Sequence, residues 1–181
     1  MIPTREECLR LMEECGMLSH IISHSIEVAK IALFLSMELN KKGQRIDVSL
    51  VEAASLLHDV TKAECLQTRE DHAQTGGQFL KRLGYERVGE IVAEHIHLSK
   101  GRDPSWISEE EIVNYADKRV RHDQIVSLKE RFSDLKDRYA INQAAFGRLE
   151  ELEKATLKIE MKIFSVLEID PAHLQHLSLG E

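Results

Sequence analysis

A chain of 181 residues, 43% hydrophobic, 30% charged and 5% aromatic, has the profile of one ordinary globular domain, able to bury a core without disulfides or a structural metal. Its net charge of −7 argues against nonspecific binding to DNA, RNA or an anionic membrane. No uninterrupted apolar run approaches the roughly 20 residues of a membrane span, and Met1-Ile2-Pro3-Thr4-Arg5-Glu6-Glu7 has no apolar signal core. The expectation is a cytoplasmic protein with Cys8, Cys15 and Cys65 reduced, the first two as small core residues.

Helical signals dominate from the start. Thr4-x-x-Glu7 reads as a capping box opening a short helix to Cys15, which Gly16 stops. Ile21, Ile22, Val28, Ile31, Ala32 and Leu35 recur at helical spacing, predicting a second helix from Leu18 to near Asn40. Asp47 caps a third, carrying Val48, Val51, Ala54 and Leu57 and ending around His58-Asp59. A polar stretch follows. The next helix starts near Asp71 and stops at Gly84, and Gly76-Gly77 inside it reads as close packing rather than a phosphate cradle.

A helix from about Glu86 to Leu98 comes next, then a loop broken by Gly101 and Pro104. Ser108-x-x-Glu111 is a second capping box. Its apolar pattern runs through Ile112, Val113, Ala116 and Val120 and on through Ile125, Leu128 and Phe132 to Tyr139. After Asn142 a long helix carries Phe146, Leu149, Leu152, Ile159, Ile163 and Val166, and Asp170-Pro171 opens a short tail helix. The expected class is all-α: residues 1–17 as an N-terminal helix on the core, 18–123 as the core, and 124–181 as a helical extension of the same domain. That extension packs as a hairpin or forms a homodimer interface; the pattern alone leaves both open.

Several strong polar side chains sit on these apolar stripes. His24 lies three after Ile21 and four before Val28. Asp117 lies four after Val113 and three before Val120, and His95 lies four after Ile91. His58 and Asp59 follow Leu56-Leu57 directly. Any one of these alone reads as a hydrogen-bonded core residue or an ion-pair partner. Together they ask for a shared ligand, because burying unpaired charge is costly and a divalent cation offsets several such ligands at once. Imidazole and carboxylate without thiolate suit a divalent transition metal: Fe or Mn first, with Zn, Ni, Co or Mg as alternatives. The cysteines lack the CxxC spacing of a structural zinc site.

The order His24, then His58-Asp59, then Asp117 resembles the HD-domain superfamily of metal-dependent phosphohydrolases. Leu56-Leu57-His58-Asp59-Val60-Thr61-Lys62 is similar to its hydrophobic-HD-x-x-Lys signature, and Asn114-Tyr115-Ala116-Asp117-Lys118 to its final-aspartate motif. The likeness covers roughly residues 18 to 123 and implies that His24, His58, Asp59 and Asp117 bind one metal. Asp71-His72-Ala73-Gln74-Thr75-Gly76 resembles the His-x-x-x-Gly element of the two-metal subgroup, and Glu94-His95-Ile96-His97 its next histidine element. This implies that Asp59 bridges two ions, with His72 and His95 on the second.

The chain departs from the cyclic-dinucleotide branch, which has adjacent histidines where His95 and His97 stand apart, a Gly where Thr61 stands, and a Gly-Tyr-Pro element missing here. The resemblance therefore implies hydrolysis of a phosphate ester or anhydride by metal-activated water, on a small phosphorylated molecule such as a nucleotide rather than a nucleic-acid polymer or a membrane. Asp59 is the expected bridge or proton acceptor. Lys62, one turn on, and Arg121, four after Asp117, are the expected phosphate contacts. Lys100 and Arg102 would flank the site from a loop, and His97 is a ligand only if its helix ends there. Two other classes stay in view: an HD-type di-iron oxygenase and a non-catalytic nucleotide- or metal-binding module.

Overall fold

The computed structural model describes residues 1–99, 103 and 105–177. Helix α1 spans Arg5–Glu14, opened by the Thr4 capping box. Helix α2 spans Ser19–Lys41 and α3 spans Val48–Leu57, capped by the Asp47 carboxylate, which accepts from the Leu50 amide. Helix α2 packs on α3 and on α7 (Glu109–Lys118), while α1 covers α3. The core between them is aliphatic: Val28, Ile31, Leu35, Val51, Leu56, Leu57, Ile112 and Val113 are all buried. Among the described residues α2 is the one helix long and apolar enough to cross a membrane by length and composition. It is half-buried in the protein and carries buried His24 and Ser25, as a core helix does.

Helices α5 (His72–Arg82) and α6 (Glu86–Ala93) form a tight pair, and α6 also packs on α3 and α7. The reason is the absence of side chains where they cross. A Cβ built on Gly77 would lie 2.6 Å from the Gly89 carbonyl oxygen, and one on Gly89 would lie 2.5 Å from the Gly77 oxygen. Gly76-Gly77 is thus the close-packing element its helical setting suggested, with Gly89 as its partner. Helices α8 (Leu128–Tyr139) and α9 (Gln143–Leu167) pack as a hairpin, with α9 against α7 and α2, and a 3-10 helix follows at Pro171–His176.

Three elements differ from the sequence expectation. The polar stretch after Asp59 contains a further helix, α4, at Lys62–Thr68; its sole buried residue is Cys65, so no apolar stripe marks it. Helix α6 ends at Ala93, not at Leu98. The apolar pattern expected to run on from Val113 to Tyr139 is broken after Lys118 by a small antiparallel hairpin, β1 (Val120–Arg121) and β2 (Gln124–Ile125), with Val120 opposite Ile125. Strands of two residues are too short to show alternation, and Ile125, Leu128 and Phe132 continue the helical spacing by coincidence.

Candidate metal centre

Helix ends deliver most of the candidate residues. His58 is the first residue after α3, and its ring Nδ1 lies 2.7 Å from the Ser55 carbonyl oxygen, three residues back. His95 stands two residues beyond α6, and its Nδ1 lies 2.7 Å from the Val92 carbonyl, again three residues back. His24, inside α2, has its Nδ1 2.9 Å from the carbonyl of His122, the first turn residue between β1 and β2. A carbonyl can only accept, so all three rings donate from Nδ1 and turn Nε2 to the interior, bare whenever the ring is neutral. Carbonyl partners of this kind fix ring and tautomer in metal-ligating histidines. His72 opens α5, whose N-terminus Asp71 caps, and its carbonyl accepts from the buried Thr61 hydroxyl at 3.0 Å.

These Nε2 atoms converge on two carboxylates. His24 Nε2 is 3.1 Å from Asp117 Oδ1, and His58 Nε2 is 3.6 Å from the same oxygen and 3.4 Å from Asp59 Oδ2. The other oxygen of Asp59, Oδ1, is 3.2 Å from His72 Nε2 and 3.7 Å from His95 Nε2. Ligand atoms of His24, His58 and Asp59 lie within 4.8 Å of one another, as do those of Asp59, His72 and His95. Bonds of about 2.0–2.2 Å to a common ion put neighbouring donors about 3 Å apart. His58 Nε2 and Asp59 Oδ1 are buried without a hydrogen-bond partner. Buried polar atoms are rarely orphaned, so these donors fit a cation in each group.

The electrostatics point the same way. Burial opposes ionisation of Asp59, but His58, His72 and Lys62 outweigh it and hold the carboxyl well below its usual range. Asp117 behaves alike, burial being overcome by Lys118, His24 and His58. Burial pushes the His58 imidazolium down, yet the two carboxylates hold it up at about 9. His95, buried and beside charged His58, is pushed down to about 3. The cluster therefore keeps two buried anions and draws in a proton where a cation would serve, and cation binding would displace that proton.

Lys62 Nζ, a partly exposed group at the start of α4, lies 2.6 Å from Asp59 Oδ2. Arg121 was expected on the Asp117 face of a continuing helix. That helix ends at Lys118, so Arg121 stands in β1 instead, beside Lys129, Glu130 and Asp134. His97 is exposed on the bend after α6 and lies outside both donor groups. Lys100 and Arg102 lie outside the described residues.

A family model described as HD domain matches residues 21–140. The chain belongs to the HD-domain family. This HD-domain chain thus falls in a superfamily of metal-dependent phosphohydrolases, all-α as expected, and it has His and Asp groups that could hold a divalent metal. It is similar to ribonuclease Y of Petrotoga mobilis, 41% identical over 77 residues, which is 42% of this chain and 14% of the relative. Ribonuclease Y of Fusobacterium nucleatum is 33% identical over 78 residues, again 42% of this chain and 14% of the relative. A tRNA (cytidine(56)-2'-O)-methyltransferase of Picrophilus torridus is 30% identical over 152 residues, 76% of this chain and 41% of the relative. The HD-domain chain spans from 14% to 41% of the length of these relatives. No solved structure matches it.

Sequence reasoning missed the partners that hold these histidines: Thr61 on the His72 backbone, and the Ser55, Val92 and His122 carbonyls on the rings of His58, His95 and His24. Backbone carbonyls leave no mark in a sequence. The positive φ of 58° at His122 is equally silent there, since nothing marks that position as a turn except the neighbouring Asp123.

Proposed function

We propose that this HD domain hydrolyses a phosphate ester or anhydride of a small phosphorylated molecule, with a nucleotide as the first candidate. The observation that carries the reading is the division of Asp59: one carboxylate oxygen faces His58 and Lys62, the other faces His72 and His95. That division supports a two-ion site in which His24, His58, Asp59 and Asp117 hold one ion and Asp59, His72 and His95 the second. Divalent ions there would supply Lewis-acid chemistry, making water acidic enough to attack and polarising a phosphoryl oxygen.

The chain's own groups do the rest. Asp59 and Asp117 remain anionic near neutral pH and so serve as ligands without first losing a proton. Asp59 serves as the bridging ligand; acting as proton acceptor for the attacking water is the alternative role for the same carboxylate. Lys62 reaches the same carboxylate from a partly exposed position, where its ammonium can also meet a phosphate oxygen. The names of the relatives add RNA as a second substrate class. The net charge of −7 disfavours an extended polyanion, so the small nucleotide comes first.

The test is metal analysis of protein purified without added metal, then turnover of the Mn(II)- and Co(II)-loaded forms against nucleoside mono- and polyphosphates, dinucleoside polyphosphates and a short RNA. Metal-dependent hydrolysis of one of these substrates that disappears in a His58→Ala, Asp59→Ala double variant is the expected result. Nucleotide binding without turnover under every metal would mean a binding module, and oxygen uptake by the Fe(II) form would mean an oxygenase; either outcome overturns the proposal.

A further inference from the structure

His95 owes its position to a helix that stops early. Helix α6 ends at Ala93, and the last carbonyls of any helix have no partners within it. Here the carbonyl of Ala93 and those of the bend just beyond the helix are met by side chains from neighbouring helices. Gln74 of α5 donates to the Ala93 carbonyl at 2.8 Å. Asn114 Nδ2, on α7, lies 3.2, 3.0 and 3.2 Å from the carbonyl oxygens of Glu94, His95 and Ile96. One turn further along α7, Lys118 Nζ donates to the His95 carbonyl at 2.6 Å and to Asp117 Oδ2 at 3.0 Å.

Asn114 and Lys118 are four residues apart and so share a face of α7. Both are buried, at 2% and 3% exposure. Burying an ammonium and a carboxamide is costly unless every contact is used. The Asn114 contacts all fall on the bend that carries His95. Those of Lys118 fall on that bend and on the Asp117 carboxylate, one from each donor group.

We propose that Asn114 and Lys118 are positioning residues. Asn114 holds the backbone of residues 94–96 so that the His95 ring faces Asp59 Oδ1. Lys118 holds the same bend and ties it to Asp117, linking the two donor groups. This rests on the two-ion reading above.

Calorimetric titration with Mn(II) of the whole, metal-stripped chain tests it. Wild type takes up two ions. Asn114→Leu, close in shape but without donors, weakens by at least tenfold the one ion that His72→Ala also removes, and leaves the other within about twofold, in keeping with the usual 10–100-fold cost of losing an outer partner. The exchange-coupled electron paramagnetic resonance signal of the Mn(II) pair disappears at sub-saturating metal. Lys118→Met weakens that same ion and also changes the affinity of the other. Should Asn114→Leu lack the wild-type circular dichroism spectrum, Asn114→Ser, which is smaller and keeps one donor, takes its place with the same selective loss expected.

Folded Asn114 and Lys118 variants that bind both ions as wild type does, or an Asn114 variant that weakens both ions equally, overturn the proposal. A wild-type protein that takes up fewer than two ions overturns the two-ion reading itself, and the proposal with it. That failure appears in the parent protein rather than in the variants.

Discussion

Lys62 Nζ lies 2.6 Å from Asp59 Oδ2, against a carboxylate whose other oxygen faces His72 at 3.2 Å. A partly exposed ammonium so placed adds little to folding but lies where a substrate anion would arrive. Lys62→Gln is expected to bind both ions and lower kcat/KM for a nucleotide by about 10²-fold, the usual order for removing one charge-stabilising donor. Steady-state kinetics beside metal analysis checks this. A variant that loses its metal would instead make Lys62 a structural partner of Asp59.

With Asp59 shared between two ions, as proposed, metal content should depend on which residue is removed. Asp59→Ala is expected to abolish uptake of both ions, and His72→Ala to leave one. Elemental analysis after dialysis against Mn(II) gives the counts. Equal loss in the two variants would show that the groups do not act as separate subsites.

The backbone contact between α5 and α6 predicts an unusual sensitivity to a single methyl. Gly89→Ala places a Cβ about 2.5 Å from the Gly77 carbonyl oxygen, and backbone has little room to yield. The cost expected is about 1–3 kcal/mol, the range for overpacking. Thermal unfolding should show Tm lower by several degrees. Gly147→Ala, where a Cβ meets nothing within 4 Å, is the matched control and should be neutral or slightly stabilising.

A pH dependence follows from Cys8. Burial, helped by the Glu52 and Glu7 carboxylates, pushes its thiol from 9.0 up to about 12. Below pH 9 the thiol is neutral in both folded and unfolded chains, so its contribution is intact. Between pH 9 and about 12 the unfolded chain alone ionises, and stability is lost as pH rises, by up to about 1.4 kcal/mol per pH unit. Urea unfolding at pH 8, 9.5 and 10.5 is expected to show Cys8→Ala less stable than wild type at pH 8, with the gap narrowing as pH rises. A constant gap would contradict the assignment.

How much of this was legible in the sequence depended on where each residue's partner lies. Thr4, Asp47, Ser108 and Asp170 announce helix starts because capping is local, and all four cap helices here. His24, His58, Asp59, His95 and Asp117 stood out as polar groups on apolar faces, and the fold gathers them with His72. Arg121 could not be placed, because the helix assumed to carry it gives way to a hairpin after Lys118. Helix α4 was invisible because it buries only Cys65. Asn114 and Lys118 sat inside a recognised motif without a role, since their partners are carbonyls some twenty residues away.

The backbone crossing at Gly77 and Gly89 has a bearing on the histidines at its ends. His72 opens one of the two joined helices and His95 stands two residues beyond the other, so the crossing governs how far apart their backbones lie. Across the centre, His24 is carried by the long core helix α2, and the turn at His122 meets only its ring. A widened crossing would therefore be read in the spacing of the His72 and His95 rings as well as in Tm.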